Sequence, residues 1–107
     1  MASFGHFIKK EREQREWTQT ELGIKIGINT SAICRIENGS QIFSKSKLKE
    51  LADIFNIDKQ IVVDLFFADK FVKEAIKYKC SDSIFSIAED TANYYRNVNV
   101  TQGKLEL

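Results

Sequence analysis

The chain has 107 residues, 43% apolar and 29% charged, with five glycines, no proline and a formal net charge of +1. That is enough apolar material for one packed domain, or for a small domain with an extension, and it excludes a disordered chain. It also excludes a uniformly basic surface, so any patch that takes a polyanion has to be local.

The charge is spread evenly. Residues 1–55 carry nine Lys/Arg against seven Asp/Glu, and residues 56–107 carry seven against eight. Scarce glycine and absent proline favour an all-α fold over a sandwich or barrel. Cys34 and Cys80 form no CxxC pair and His6 is the only histidine, so neither a metal set of usual spacing nor a cofactor is expected. No apolar run resembles a signal peptide or approaches the ~18 residues of a spanning helix. A cytoplasmic protein with reduced thiols and no membrane partner is the expectation.

Ser3 or Gly5 opens a first helix that runs to about Glu16. Phe4 and Ile8 lie one turn apart on its apolar side, Arg12 and Arg15 continue that side, and Lys9, Lys10, Glu11, Glu13 and Gln14 form the solvated face. Trp17 follows as a core anchor, where a hydrophobic staple for the next helix would sit. Thr18 and Glu21 then have capping-box spacing for a second helix, which carries Leu22 and Ile26 inward and stops at Gly27. Asn29 caps a third helix in which Ile33 and Ile36 face the core while Thr30, Ser31, Cys34 and Arg35 do not. Asn38-Gly39 closes it. Two short helices joined at a glycine turn form a helix-turn-helix, whose second helix can enter a DNA major groove.

A loop from Ser40 to Phe43 leads to Ser44, an N-cap for a fourth helix with Leu48, Leu51, Ala52 and Phe55 inward. Lys45, Lys47 and Lys49 crowd the start of that helix, where cations oppose the dipole unless an anion joins them. A phosphate anchor and a merely solvated face both fit this pattern. Asp58 caps a fifth helix with Ile61, Val62, Leu65 and Phe66 on its core side. Ala68, Val72, Ala75 and Ile76 keep the period, so either one helix reaches about Lys79 or Asp69 starts another. After a break at Cys80–Ser83, a last helix spans about Ile84 to Arg96, with Ile84, Ile87, Ala88, Thr91, Tyr95 and Val98 along one side. Residues 97–107 read as a tail.

The span from about Phe7 to Ile57 resembles the Cro/repressor (xenobiotic-response-element-like, XRE) helix-turn-helix family. The matching residues are Arg12, Thr18-Gln19, Glu21-Leu22, Gly27, Ile33, Ile36-Glu37-Asn38-Gly39 and Leu51-Ala52. Three positions depart from it. Gly23 stands where Ala is usual, Glu11 where an apolar residue is common, and Phe43 where Pro often precedes the fourth helix. The resemblance implies a five-helix repressor-like DNA-binding domain over residues 1–67, followed by a C-terminal helical extension and tail over 68–107. It also implies roles. Gln19 and Asn38 resemble phosphate-contacting residues; Thr18 beside Gln19, and Lys45 and Lys47 from the charge at the start of the fourth helix, complete the expected phosphate set. Arg12 and Glu37 resemble an interior ion pair. Base reading falls to the outward positions Asn29, Thr30, Ser31 and Arg35, of which Arg35 can pair two acceptors of a guanine or bind phosphate.

The expected function is a sequence-specific transcriptional regulator, a repressor or autoregulator, that binds double-stranded DNA as a homodimer. The extension carries Phe71, Val72, Ile76, Tyr78, Ile84, Phe85, Ile87, Tyr94 and Tyr95. It either folds back on its own domain or pairs with a second chain, and the dimer would set two recognition helices one DNA turn apart. The near-neutral charge motivates a rival, a protein-interaction module that works through its aromatic C-terminal helix. Ser44-Lys45-Ser46-Lys47 fits S-x-x-K, but without the context that gives the pattern meaning, and an enzyme is not expected.

Overall fold

The first three helices each open on a side-chain oxygen. Ser3 Oγ accepts from the His6 N–H at 3.1 Å. Thr18 Oγ1 accepts from the Glu21 N–H at 3.0 Å while Glu21 Oε1 accepts from the Thr18 N–H at 2.9 Å, a complete capping box. Asn29 Oδ1 accepts from the Ala32 N–H at 2.8 Å. Such caps matter because helices of eight to eleven residues, as these are, are marginal alone in water. In the computed structural model residues 3–102 are described, and among them there is no strand. The order is α1 (Phe4–Gln14), α2 (Gln19–Ile26), α3 (Thr30–Asn38), a 3₁₀ turn (Lys45–Lys47), α4 (Leu48–Phe55), α5 (Lys59–Lys77) and α6 (Ser83–Gln102).

The turn between α2 and α3 rests on Gly27, whose φ of 74° is a left-handed value that a side chain would strain. Ile8, Leu22, Ile26, Ile33, Leu51, Phe55 and Val62 are the largest fully buried side chains, so α1 to α5 all contribute to one core. Phe43, in the place of the usual proline, belongs to that core, with its ring 5.8 Å from Phe4. Trp17 is half-buried and stacks on Phe55 at 6.1 Å. The Lys25 ammonium lies 4.6 Å from the indole centre on this cluster's surface. Arg15 joins it through the Phe55 carbonyl and ring.

The chain divides into two compact units between Phe71 and Val72, within the run of α5. That helix is continuous, and Asp69 does not restart it.

Five expectations need correction. The first helix ends at Gln14 rather than Glu16, because Glu16 adopts a left-handed φ of 60°. Ser44 does not cap α4: its hydroxyl pairs with that of Ser46 at 2.8 Å, and a 3₁₀ turn intervenes before Leu48. On α5 Ile61 is 52% exposed, while Val62 and Phe66 carry the burial. The last helix runs to Gln102, so residues 97–102 are helix rather than tail, as suits a stretch with no glycine or proline before Gly103. The remainder of the expected tail, 103–107, lies outside the described residues. Within α6 the expected stripe is mixed. Ile84, Ala88 and Val98 are half-buried, but Thr91, Ile87 and Tyr95 are exposed.

Candidate nucleic-acid interface

Helix α3 divides cleanly by face. Ala32, Ile33, Ile36 and Glu37 are buried, while Thr30, Ser31, Cys34, Arg35 and Asn38 are exposed. The buried face is fixed by an ion pair as well as by apolar contacts. Arg12 on α1 donates from Nε to Glu37 Oε2 at 2.7 Å and from a terminal nitrogen to Oε1 at 2.9 Å. Its other terminal nitrogen reaches the Trp17 carbonyl at 2.7 Å. The hydrogen bonds to Glu37 raise the already high Arg12 pKa, with burial working the other way. Glu37 Oε1 takes one more donor, Gln19 Nε2 at 3.0 Å. The first residue of α2 is thereby tied to the same carboxylate that ties α1 to α3.

The exposed face is also ordered by hydrogen bonds. Thr30 Oγ1 lies 3.0 Å from Thr20 Oγ1, which links the first turns of α2 and α3 at the surface. Asn29 spends its carbonyl oxygen on the α3 cap, which leaves its amide donors for other work. Ser31 is exposed between them. Arg35 donates from Nε to Gln41 Oε1 at 2.8 Å. Asn38 Oδ1 accepts from both the Ser40 N–H at 3.0 Å and the Ser40 hydroxyl at 2.7 Å, so its amide nitrogen is the side chain's remaining donor. That is the group a phosphate oxygen would take.

The expected phosphate residues occupy different settings. Thr18 holds the α2 cap, and Gln19 follows it at the helix N-terminus, where unpaired N–H groups favour an anion. Lys45 is exposed on the 3₁₀ turn. Lys47 is half-buried, donating to the Ile26 carbonyl at 3.1 Å with Glu50 at 3.9 Å. Its ammonium therefore meets the negative end of α2, a favourable place for a cation. Thr20, Ser40 and Gln41 were not legible as members of this surface. The only signal for the last two is that they follow a glycine closing α3, which turns the chain back along the helix end.

Cys34 and Cys80 are both free and exposed. No cluster of His, Cys, Asp and Glu among the described residues is placed to hold a metal ion. No helix among them is long and apolar enough to cross a membrane.

The sequence comparisons agree with this geometry. A family model described as Helix-turn-helix matches residues 8–62, more than half of the chain. The fold is similar to that of a chain in a solved SinR protein/SinI protein complex, with a TM-score of 0.50 and 20% identity over 88% of this chain and 98% of that one. Comparison with curated proteins gives no match. With its capped α2 and α3, its glycine turn and its family match, the chain belongs to the Cro/repressor-type (XRE) helix-turn-helix family of DNA-binding transcriptional regulators.

Proposed function

We propose that the protein binds an operator in double-stranded DNA as a homodimer, lays α3 in the major groove, and acts in the cytoplasm as a repressor or autoregulator. The observation that carries this reading is the exposed face of α3, which includes Ser31 and Arg35, accompanied by two donors suited to phosphate. Those donors are the N-terminus of α2 at Gln19 and the amide of Asn38. Phosphate contacts fix the register of a helix on the duplex, and its exposed side chains then meet base edges. Asn29, Thr30, Ser31 and Arg35 are the proposed base readers, and Thr18, Gln19, Asn38, Lys45 and Lys47 the proposed phosphate residues. Arg12 and Glu37 act as scaffold.

The dimer is supported by apolar side chains left in water: Ile76 is 71% exposed, and Ile87, Tyr94 and Tyr95 are each more than half exposed. One such module alone buries too little against DNA for specific binding, and a two-fold pair doubles the contacts.

Selection of tight binders from random duplexes, followed by titration of variants, tests the reading. Arg35→Ala should weaken the selected site by about tenfold or more and random DNA little, since a bidentate base contact discriminates by ~1–3 kcal/mol. Gln19→Ala, which keeps the helix N-terminus but removes the side-chain amide hydrogen not given to Glu37, should weaken both alike. Equal losses on both duplexes for Arg35→Ala would remove its reading role. Affinity insensitive to salt would favour the protein-interaction module, because phosphate contacts release counterions.

A further inference from the structure

Arg35 is held from two directions. Its carbonyl oxygen accepts from the Ser40 N–H at 2.9 Å and the Gln41 N–H at 3.2 Å, in the closure that follows left-handed Gly39. Its side chain then donates from Nε to Gln41 Oε1 at 2.8 Å. The backbone at Gln41 is anchored on both sides, since two residues further on Phe43 is buried against Phe4. Backbone and side chain together make a closed ring from α3 to the following loop and back.

This ring decides which edge of the guanidinium is on offer. An arginine can grip two acceptors side-on, through Nε and one terminal nitrogen, or end-on, through both terminal nitrogens. With Nε committed to Gln41, only the end-on edge is available. A guanine offers O6 and N7 as two adjacent acceptors that this edge matches. Holding the fork in place also lowers the rotamer entropy lost on binding.

We propose that Gln41 is a positioning residue for DNA reading: by accepting the Arg35 Nε–H it commits Arg35 to an end-on grip on guanine. Gln41 acts through Arg35, and the inference rests on the reading of Arg35 as a base contact.

The test uses the full chain and the duplex selected by the unaltered protein. Gln41→Ala should weaken that duplex about two- to tenfold, the worth of one hydrogen bond, with random DNA unchanged. The preference for guanine at the position that depends on Arg35 should shrink in step. In an Arg35→Ala background the same change should add nothing. In the free protein the Arg35 Nε–H resonance should be slow to exchange, and Gln41→Ala should abolish that protection. Gln41→Glu keeps an acceptor, so it should keep both the protected resonance and the guanine preference, while weakening all DNA alike through its charge. A specific loss for Arg35→Ala, with a Gln41→Ala loss equal on both duplexes or undiminished in the Arg35→Ala background, would overturn the inference and leave the Arg35 reading standing. An Arg35 resonance indifferent to Gln41→Ala would overturn it as well. Equal losses on both duplexes for Arg35→Ala itself would end the reading and the inference with it.

Discussion

Every buried apolar side chain among the described residues lies before Val72, with the exception of Ala75, whereas Phe85, Ile87, Tyr94 and Tyr95 beyond it are at least half exposed. The first unit is closed: its first three helices are capped, its core draws on five helices, and its buried ion pair has every oxygen engaged. The second presents apolar surface that contributes nothing to folding while it stays in water. The difference separates two tasks. Helix α3 sits in a unit that buries a core of its own. The surface of α6 is in the state of one that gains its stabilisation from a partner, which supports assigning assembly to it.

The largest effect expected is at the centre of the closed unit. Glu37→Ala leaves Arg12 buried with only the Trp17 carbonyl as acceptor and leaves the Gln19 amide without one. Removing one member of a buried pair costs about 3–5 kcal/mol, read as a fall in the denaturant midpoint. Joint replacement of Arg12 by Met and Glu37 by Leu should recover most of it, since no charge is then stranded. A loss below about 1 kcal/mol for Glu37→Ala would mean that the first unit does not depend on this closure.

Next comes the open unit. Ile87 is 56% exposed on α6, so an aspartate there disturbs little within a single chain. If α6 pairs with a second copy, Ile87→Asp should halve the mass in sedimentation. It should also weaken a two-half-site operator by about a hundredfold, the loss expected when linked sites become independent. An unchanged mass would break the proposed division of labour and return the extension to a fold within one chain.

This division was only partly legible in the sequence. Period and caps were enough to place α2 and α3, because Thr18, Gly27, Asn29 and Gly39 each act on their immediate neighbours. The Arg12 to Glu37 contact joins residues far apart in the chain, and only the resemblance pointed to it. In the sequence Gly23 stands out only as a departure from the family pattern, where Ala is usual. In the fold a Cβ there would stand 2.3 Å from the Ile28 carbonyl oxygen, so the turn after α2 packs onto that bare backbone. Gln41 was invisible, since its role needs the chain reversal at Gly39 and a partner six residues back. The end of α6 was misplaced because polar residues such as Asn97 and Asn99 resemble tail chemistry, yet nothing in them stops a helix.

The smallest effect returns to the closed unit and uses pH. The Thr18 N–H, and then its hydroxyl, hold the Glu21 carboxyl below the usual glutamate range. A carboxylate with a depressed folded-state pKa contributes stability that is present above its unfolded value and lost as pH falls through the folded one. Carboxyl chemical shifts followed through acid should therefore show Glu21 titrating below an ordinary glutamate. Thr18→Ala removes the hydroxyl and keeps the backbone N–H, so Glu21 should move only part of the way back. The same change costs the α2 cap about 1 kcal/mol at neutral pH. Because both effects are local to the first turn of α2, Ile87→Asp should leave the Glu21 titration where it is. A shift on that substitution would mean that the recognition unit senses the state of α6, and the two regions would then have to be treated as coupled.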